Sequence, residues 1–109
     1  MTQQSLAEQV RKYVRVQYQL PVEKVALMLP TFLEVLKNHL NDLESVLDDG
    51  EPMAIGRVGH TLKGALLNLG LAEIAEIAAS IETEGKLGNK DFEYAVLVAR
   101  LREKLEEIL

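Results

Sequence analysis

Several residue types and sequence patterns are missing from this chain of 109 residues, and each absence removes a class of function. The chain contains no cysteine, so a disulfide framework, a thiolate zinc site and a cysteine nucleophile are all excluded. No apolar run approaches the roughly 18 residues that span a bilayer. The N-terminal sequence M-T-Q-Q-S also lacks the pattern of a signal peptide. We therefore expect a cytoplasmic protein that does not insert into a membrane.

The charge balance and the missing nucleotide and metal motifs narrow the function further. The formal net charge is −5, whereas binding to nucleic-acid phosphates requires a basic surface. No P-loop and no G-x-G-x-x-G sequence occurs, so neither a nucleotide site nor an autonomous kinase is predicted. No Glu-x-x-His pair occurs and there are only two histidines, so we expect no metal site. These absences favour a protein partner and no cofactor.

Apolar residues recur at helical spacing through most of the chain, and no segment shows the strict alternation of a half-buried strand. Ser5 and Glu8 have the spacing of a capping box, which predicts a first helix from Leu6 to about Gln17. A second helical segment begins at Val22. The sequence therefore predicts an all-α fold.

Prolines and glycines mark the remaining boundaries. Pro30 is expected to kink or split the second helical segment, with a boundary at Leu29. Further helices are predicted to end near residue 48 and to cover residues 52–70, 71–84 and 91–109. Because short connections join long amphipathic helices, we expect an antiparallel up-down four-helix bundle with an additional N-terminal capping helix. The chain is then a single domain over residues 1–109, with the capping helix in residues 1–20 and the bundle in residues 22–109.

The stretch G-R-V-G-H-T-L-K-G-A-L-L-N-L-G, from Gly56 to Gly70, presents His60 on the side opposite its apolar residues. On a helix that turns about 100° per residue, these apolar residues lie between roughly 120° and 220° from His60. They are Ile55, Val58, Leu62, Ala65, Leu66 and Leu69. Two glycines, two cations and one leucine lie within about 60° of His60, with Asn68 at the edge. They are Gly56, Arg57, Lys63, Gly64 and Leu67.

This arrangement predicts an exposed histidine that another molecule can reach. A glycine inside a helix costs roughly 1 kcal/mol relative to alanine, and Gly56 and Gly64 flank His60 one turn away, so we interpret both as leaving the ring accessible. Gly59 points sideways and suits close helix packing. The second histidine, His39, lies on the flank of its helix and is interpreted as a packing residue.

The cations and the leucine beside the histidine suggest what it would meet. Arg57 and Lys63 are within reach of a group attached to the His60 ring, and they would stabilise a phosphoryl group of about −1.5 to −2 charge. Leu67 is predicted to be exposed, and together with Gly56, Arg57 and Asn68 it suggests a surface on which a partner docks. An alternative stays open, in which the glycines and the histidine serve only to pack the N-terminal helix.

The sequence H-T-L-K-G-A-L-L-N-L-G, from His60 to Gly70, resembles the signature of histidine-containing phosphotransfer domains. In that signature the histidine is followed by leucine, lysine and glycine at +2 to +4, and by N-L-G or similar at +8 to +10. The matching residues here are Leu62, Lys63, Gly64, Asn68, Leu69 and Gly70. The resemblance covers most of Pro30 to Glu84. It departs at Gly59, where the family usually has alanine or serine, and at Ala65-Leu66, where a small polar pair is frequent.

The resemblance implies a phosphorelay intermediate that has no kinase activity of its own. His60 would accept a phosphoryl group from a receiver-domain aspartate and pass it to another, with Lys63 holding the phosphate and Gly64 leaving room for it. The implied partners are response-regulator receiver domains and a hybrid sensor kinase, with Mg²⁺ on the receiver and none on this chain. We expect a monomer and a stand-alone bacterial protein. The alternative is a helical adaptor that binds a partner through the His60 face without being phosphorylated.

Overall fold

A computed structural model of the protein describes residues 5–109, and these residues form five α-helices and no strand. The helices are α1 (Leu6–Gln17), α2 (Val22–Leu47), α3 (Pro52–Asn68), α4 (Ala72–Lys86) and α5 (Tyr94–Leu105). The prediction of an all-α fold is therefore confirmed for this part of the chain. The sequence M-T-Q-Q and the predicted domain limit at residue 1 lie outside the described residues.

Local signals set two of the helix ends as predicted. The Ser5 side chain accepts a hydrogen bond from the backbone N–H of Glu8 at 3.2 Å and caps the first turn of α1. At the C-terminal end of α3, Gly70 has φ +77°, in the left-handed region that favours glycine. The amide of Leu71 donates to the carbonyl of Leu66 across that turn at 3.0 Å, which completes a Schellman motif and ends α3.

Helix α2 continues through Pro30, so the predicted boundary at Leu29 is wrong. Proline has no N–H and leaves the carbonyl of Ala26, four residues earlier, without its helical donor. Both Ala26 and Pro30 are exposed, so solvent can reach that carbonyl. On the opposite side of the same helix, Leu29 and Leu36 are buried. The stabilisation from packing the apolar side of α2 therefore outweighs the cost of one missing hydrogen bond on its solvent-exposed side.

Helix α5 begins at Tyr94 rather than near Asp91 as predicted. The Asn89 side-chain oxygen accepts a hydrogen bond from the Asp91 amide at 3.0 Å, and the Asn89 carbonyl accepts one from the Tyr94 hydroxyl at 2.6 Å. An asparagine that bonds the backbone two residues ahead offers the chain an alternative to helix. Residues 89–91 therefore form a turn, and the helix starts only after it.

The core lies between helices α2, α3, α4 and α5, each of which contacts the next while α5 also contacts α2, and α1 adds Val10 and Val14 to it. Helix α1 packs on α2. The largest side chains with almost no exposure are Val10, Val14, Leu36, Leu40, Leu43, Ile55, Leu62, Leu66, Ile81, Val98, Leu101 and Leu105. The predicted apolar face of α3 agrees with this core, since four of its six residues are buried and Val58 and Ala65 are half-buried.

Helices α3 and α4 run antiparallel and cross closely where each has a glycine. A Cβ atom on Gly85 would lie 2.5 Å from the Cα of Gly56 and 2.6 Å from the carbonyl oxygen of Pro52. One on Gly59 would lie 3.0 Å from Cγ2 of Ile81, so the prediction that Gly59 allows close packing is confirmed. Gly56 is also buried in this contact, and the prediction that it lies on the partner-binding surface is wrong.

Alanine substitutions at Gly85 and Gly64 distinguish the effect of close helix packing on stability from the effect of helix propensity. We expect Gly85→Ala to lower the free energy of unfolding by about 1–3 kcal/mol, because the added carbon meets the backbone of α3. Gly64→Ala is the matched control, since a Cβ there meets nothing within 4 Å. It should raise the free energy of unfolding by up to about 1 kcal/mol. Urea denaturation measures both, and equal effects at the two positions would contradict the close crossing.

Candidate functional site

Helix α3 presents His60 to solvent, with 61% of its side chain exposed. Arg57, Gly64, Leu67 and Asn68 are exposed around it, as the helical rotation predicts. A Cβ atom on Gly64 would meet nothing within 4 Å, so there is open space one turn from the imidazole. Of the predicted site residues, Gly56 is thus the one that the structure removes from this face.

Glu82 of α4 lies against the same imidazole. Its Oε2 atom is 2.6 Å from Nδ1 of His60. The pattern of α4 predicts that Glu73, Glu76 and Glu82 all face away from the core. Glu73 and Glu76 are exposed, but Glu82 is only 7% exposed, so the prediction is wrong for this residue. The reason is the close helix crossing, which covers Glu82 one turn before Gly85.

Two lysines converge on the Glu82 carboxylate from different helices. The Nζ atom of Lys63 is 2.5 Å from Oε1, and the Nζ atom of Lys86 is 2.7 Å from Oε2. Lys63 is therefore half-buried and paired, whereas the helical rotation predicts that it faces solvent. The carboxylate has three partners in all, and these are one imidazole and two ammonium groups.

The two lysines lower the pKa of the Glu82 carboxyl to about 2. The hydrogen bond from Lys63 is the largest cause and that from Lys86 the next; burial acts in the opposite direction, and the His60 contact lowers the pKa further. Glu82 is thus ionised at neutral pH and can only accept hydrogen bonds. The Nδ1 atom of His60 must then carry the proton that it donates to Glu82.

When the imidazole is neutral, this contact leaves Nε2 with its lone pair, on a side chain that is mostly in solvent. A histidine in this state is a nucleophile whose other nitrogen is held by a carboxylate. The surrounding charges are unequal, since Lys63 and Lys86 carry two positive charges against the single negative charge of Glu82. The site therefore suits the addition of a negatively charged group at Nε2.

Glu82 and Lys86 are residues of this site that the sequence pattern did not predict. A signal for Glu82 exists, because it continues the stripe of small residues Ala75, Ala78 and Gly85 at helical spacings of three, four and three. A stripe of small residues in α4 lets its backbone approach the glycines of α3 closely. Glu82 lies within this stripe, so α3 covers it. Lys86 follows Glu82 by four residues, the spacing of an intrahelical ion pair.

No other type of centre stands out in the part of the chain that the structure describes. Within residues 5–109, no group of three histidine, cysteine, aspartate or glutamate side chains could hold a metal ion. In the same range, no helix is both long enough and apolar enough to cross a bilayer. His39 lies on α2 and is half-buried, as predicted.

Comparison with known protein families identifies this type of domain. A family model described as Hpt domain matches residues 27–109, and this range includes His60, Glu82 and both lysines. The match begins inside α2 and leaves α1 outside. Comparisons with curated proteins and with solved structures find no match.

The pKa of Glu82 predicts how stability depends on pH. An ionised Glu82 stabilises the folded state above its ordinary pKa of 4.5, and this contribution is lost as the pH falls towards about 2. The shift corresponds to at most about 3 kcal/mol at neutral pH. We expect Glu82→Gln to unfold more easily than wild type at pH 7, with the difference shrinking between pH 4.5 and 2.

Glu76→Gln is the matched control for this measurement, because Glu76 is exposed on the same helix. Its free energy of unfolding at pH 7 should stay within about 0.5 kcal/mol of wild type. Denaturant titrations at several pH values provide the comparison. A difference between Glu82→Gln and wild type that does not change with pH would show that ionisation of Glu82 does not stabilise the fold.

Proposed function

Because the chain belongs to the Hpt domain family, whose members are phosphocarriers in phosphorelays, we propose that His60 is the phosphoacceptor. It takes a phosphoryl group from the aspartate of one receiver domain and passes it to the aspartate of another. The observation that carries this proposal is the contact of His60 Nδ1 with the ionised Glu82, which leaves Nε2 as the exposed nucleophile.

The transfer step is a displacement at phosphorus. The Nε2 lone pair forms the new N–P bond while the P–O bond to the receiver's aspartate breaks, and that aspartate leaves as a carboxylate. The imidazole keeps its Nδ1 proton and gains positive charge, which the neighbouring Glu82 carboxylate stabilises at 2.6 Å. The reverse displacement, with the aspartate of a second receiver as nucleophile, returns the imidazole to its neutral state.

Lys63 and Lys86 supply the charge that a phosphorylated His60 needs. A phosphoryl group brings about −1.5 to −2 charges, and both ammonium groups contact the carboxylate that contacts the imidazole. Each lysine has three donors, so donors remain for phosphoryl oxygens beside the one that contacts the carboxylate. Gly64 adds the space that the group requires, since no side chain stands there.

The partners follow from this chemistry. We propose receiver domains of response regulators and of a hybrid sensor kinase, with Arg57, Leu67 and Asn68 on the docking surface. The receiver brings Mg²⁺, and this chain needs no cofactor of its own. We also propose a cytoplasmic monomer with one domain. Its helices α2 to α5 form an up-down four-helix bundle with α1 as a cap, which the contacts of each helix with the next and of α5 with α2 support.

Phosphorylation assays test the role of His60 directly. Incubation with receiver domains that carry labelled phosphate should give wild-type protein with acid-labile, base-stable label. His60→Gln should give none, because the amide has no nucleophilic nitrogen to replace Nε2. His39→Gln is the matched control and should be labelled like wild type. Equal label on His60→Gln, or no label on wild type, would contradict the proposal and favour a non-phosphorylated adaptor.

Lysine variants test whether the charges of Lys63 and Lys86 stabilise the transferred phosphoryl group. We expect Lys63→Ala and Lys86→Ala each to slow phosphoryl transfer about tenfold, the effect of losing roughly 1.4 kcal/mol of transition-state stabilisation. The labelled histidine should also lose its phosphate faster in both variants. Lys104→Ala, on the exposed surface of α5, removes the same charge away from the site and should match wild type. If Lys104→Ala slows transfer as much as Lys86→Ala, overall charge rather than local contact explains the effect.

A further inference from the structure

An apolar groove lies on the surface between α3, α2 and the end of α1. Its volume is about 150 Å³, close to that of cavities that hold a benzene molecule. The lining residues are Tyr18, Phe32, Val35, Ala65, Asn68 and Leu69. Tyr18 and Val35 are 47% and 44% exposed, so the groove is open to a partner. Large apolar side chains that stay this exposed on both walls of a groove suit contact with another protein.

The wall formed by Tyr18 is held in place by contacts with α3. The Tyr18 hydroxyl donates a hydrogen bond to the carbonyl of Asn68 in α3 at 3.3 Å. The backbone amide of Tyr18 donates one to the carbonyl of Val14 within α1 at 3.1 Å. One turn earlier in α1, the Tyr13 ring lies over Gly70, where a Cβ atom would be 2.3 Å from Cγ of the ring. Helix α1 is thus seated on the end of the helix that carries His60, and the groove is preformed.

The groove borders the His60 face at Asn68, which lines the groove and lies at the edge of that face. Asn68 follows His60 by two helical turns, which is about 12 Å along α3. A stable protein interface buries about 800 Å² on each partner, which corresponds to a disc of roughly 16 Å radius. Leu67, 45% exposed, extends the apolar surface between His60 and the groove. A receiver that brings its aspartate to Nε2 therefore reaches Asn68 at the near edge of the groove, while Ala65 and Leu69 lie farther round α3.

We propose that this groove binds one aliphatic or aromatic side chain of the receiver domain, and that Tyr18 is a residue that determines which receivers bind. The inference rests on the proposed function and extends it, because Tyr18 lies outside the segment 27–109 that matches the family. Because Tyr18 lies outside the family segment, this side of the groove can differ between family members while the phosphoryl-transfer residues stay the same. Tyr18 contacts the partner and acts on affinity alone.

The test separates binding from chemistry. The probe is the receiver domain that labels wild-type protein fastest, phosphorylated with acetyl phosphate, and the transfer rate is measured against the concentration of this protein. Tyr18→Ala should raise the half-saturating concentration about tenfold, as loss of one well-buried interface side chain does. The maximal rate should stay within about twofold of wild type, because the transition-state contacts at His60 are intact.

Three further variants make the result specific. Val35→Glu places a charge on the opposite wall without changing Tyr18, and it should raise the half-saturating concentration at least as much. Tyr18→Phe keeps the ring and loses only the hydrogen bond to Asn68, so it should raise the half-saturating concentration clearly less than Tyr18→Ala does. Leu27→Ala removes an apolar side chain that is 80% exposed on α2 and does not line the groove, and it should have no effect.

The outcomes distinguish this inference from the proposed function. Normal labelling with an unchanged half-saturating concentration in Val35→Glu and in a folded Tyr18→Ala overturns the groove and leaves the relay intact. Val35→Glu decides alone if Tyr18→Ala unfolds. A Tyr18→Phe variant as weak as Tyr18→Ala overturns the apolar contact in favour of the hydroxyl. No labelling of wild type by any receiver overturns the relay and the groove together.

Discussion

Glu82 is buried where α3 and α4 cross, and a carboxylate in that position is stable only because cations from both helices contact it. Lys63 comes from α3, so its ion pair with Glu82 joins the two helices, whereas Lys86 follows Glu82 by one turn within α4. The same contacts keep Glu82 ionised, and an ionised Glu82 sets the tautomer of His60. Helix packing, local charge and the reactive nitrogen thus depend on one group. Removing that carboxylate would leave two lysines facing each other across the crossing.

The close approach that covers Glu82 requires glycine at the contact. Gly56 and Gly85 meet backbone to backbone, so neither can gain a methyl group unless the helices move apart. Helix propensity disfavours each of these glycines, and the packing of α3 on α4 offsets that cost. Gly64 is different, because no packing explains it. A glycine that costs helix stability and contacts nothing is best explained by a group that occupies the space at another stage, which agrees with a phosphoryl group on His60.

The sequence predicted five helical segments and the face of α3 that carries His60, because both depend on periodicity within one helix. It did not predict the burial of Glu82 or the pairing of Lys63 with it, since these depend on how closely two helices approach. Helical rotation assigns a direction to a side chain but does not say what stands in that direction. The error at Leu29 has a related cause, because the cost of Pro30 depends on whether the carbonyl of Ala26 faces water.

The resting ion pairs also bear on how the site changes during transfer. Lysine side chains lose much conformational freedom when they are fixed, at roughly 1.5–2 kcal/mol each. Here Glu82 fixes both ammonium groups beside the imidazole before any phosphate arrives, so folding rather than transfer bears that cost. The arrangement also limits how tightly the phosphoryl group is held, because its oxygens must share the lysines with a carboxylate that stays ionised. A carrier must both accept and release the phosphoryl group. Lysines that are already positioned but shared with Glu82 can stabilise the group without binding it too tightly to be released.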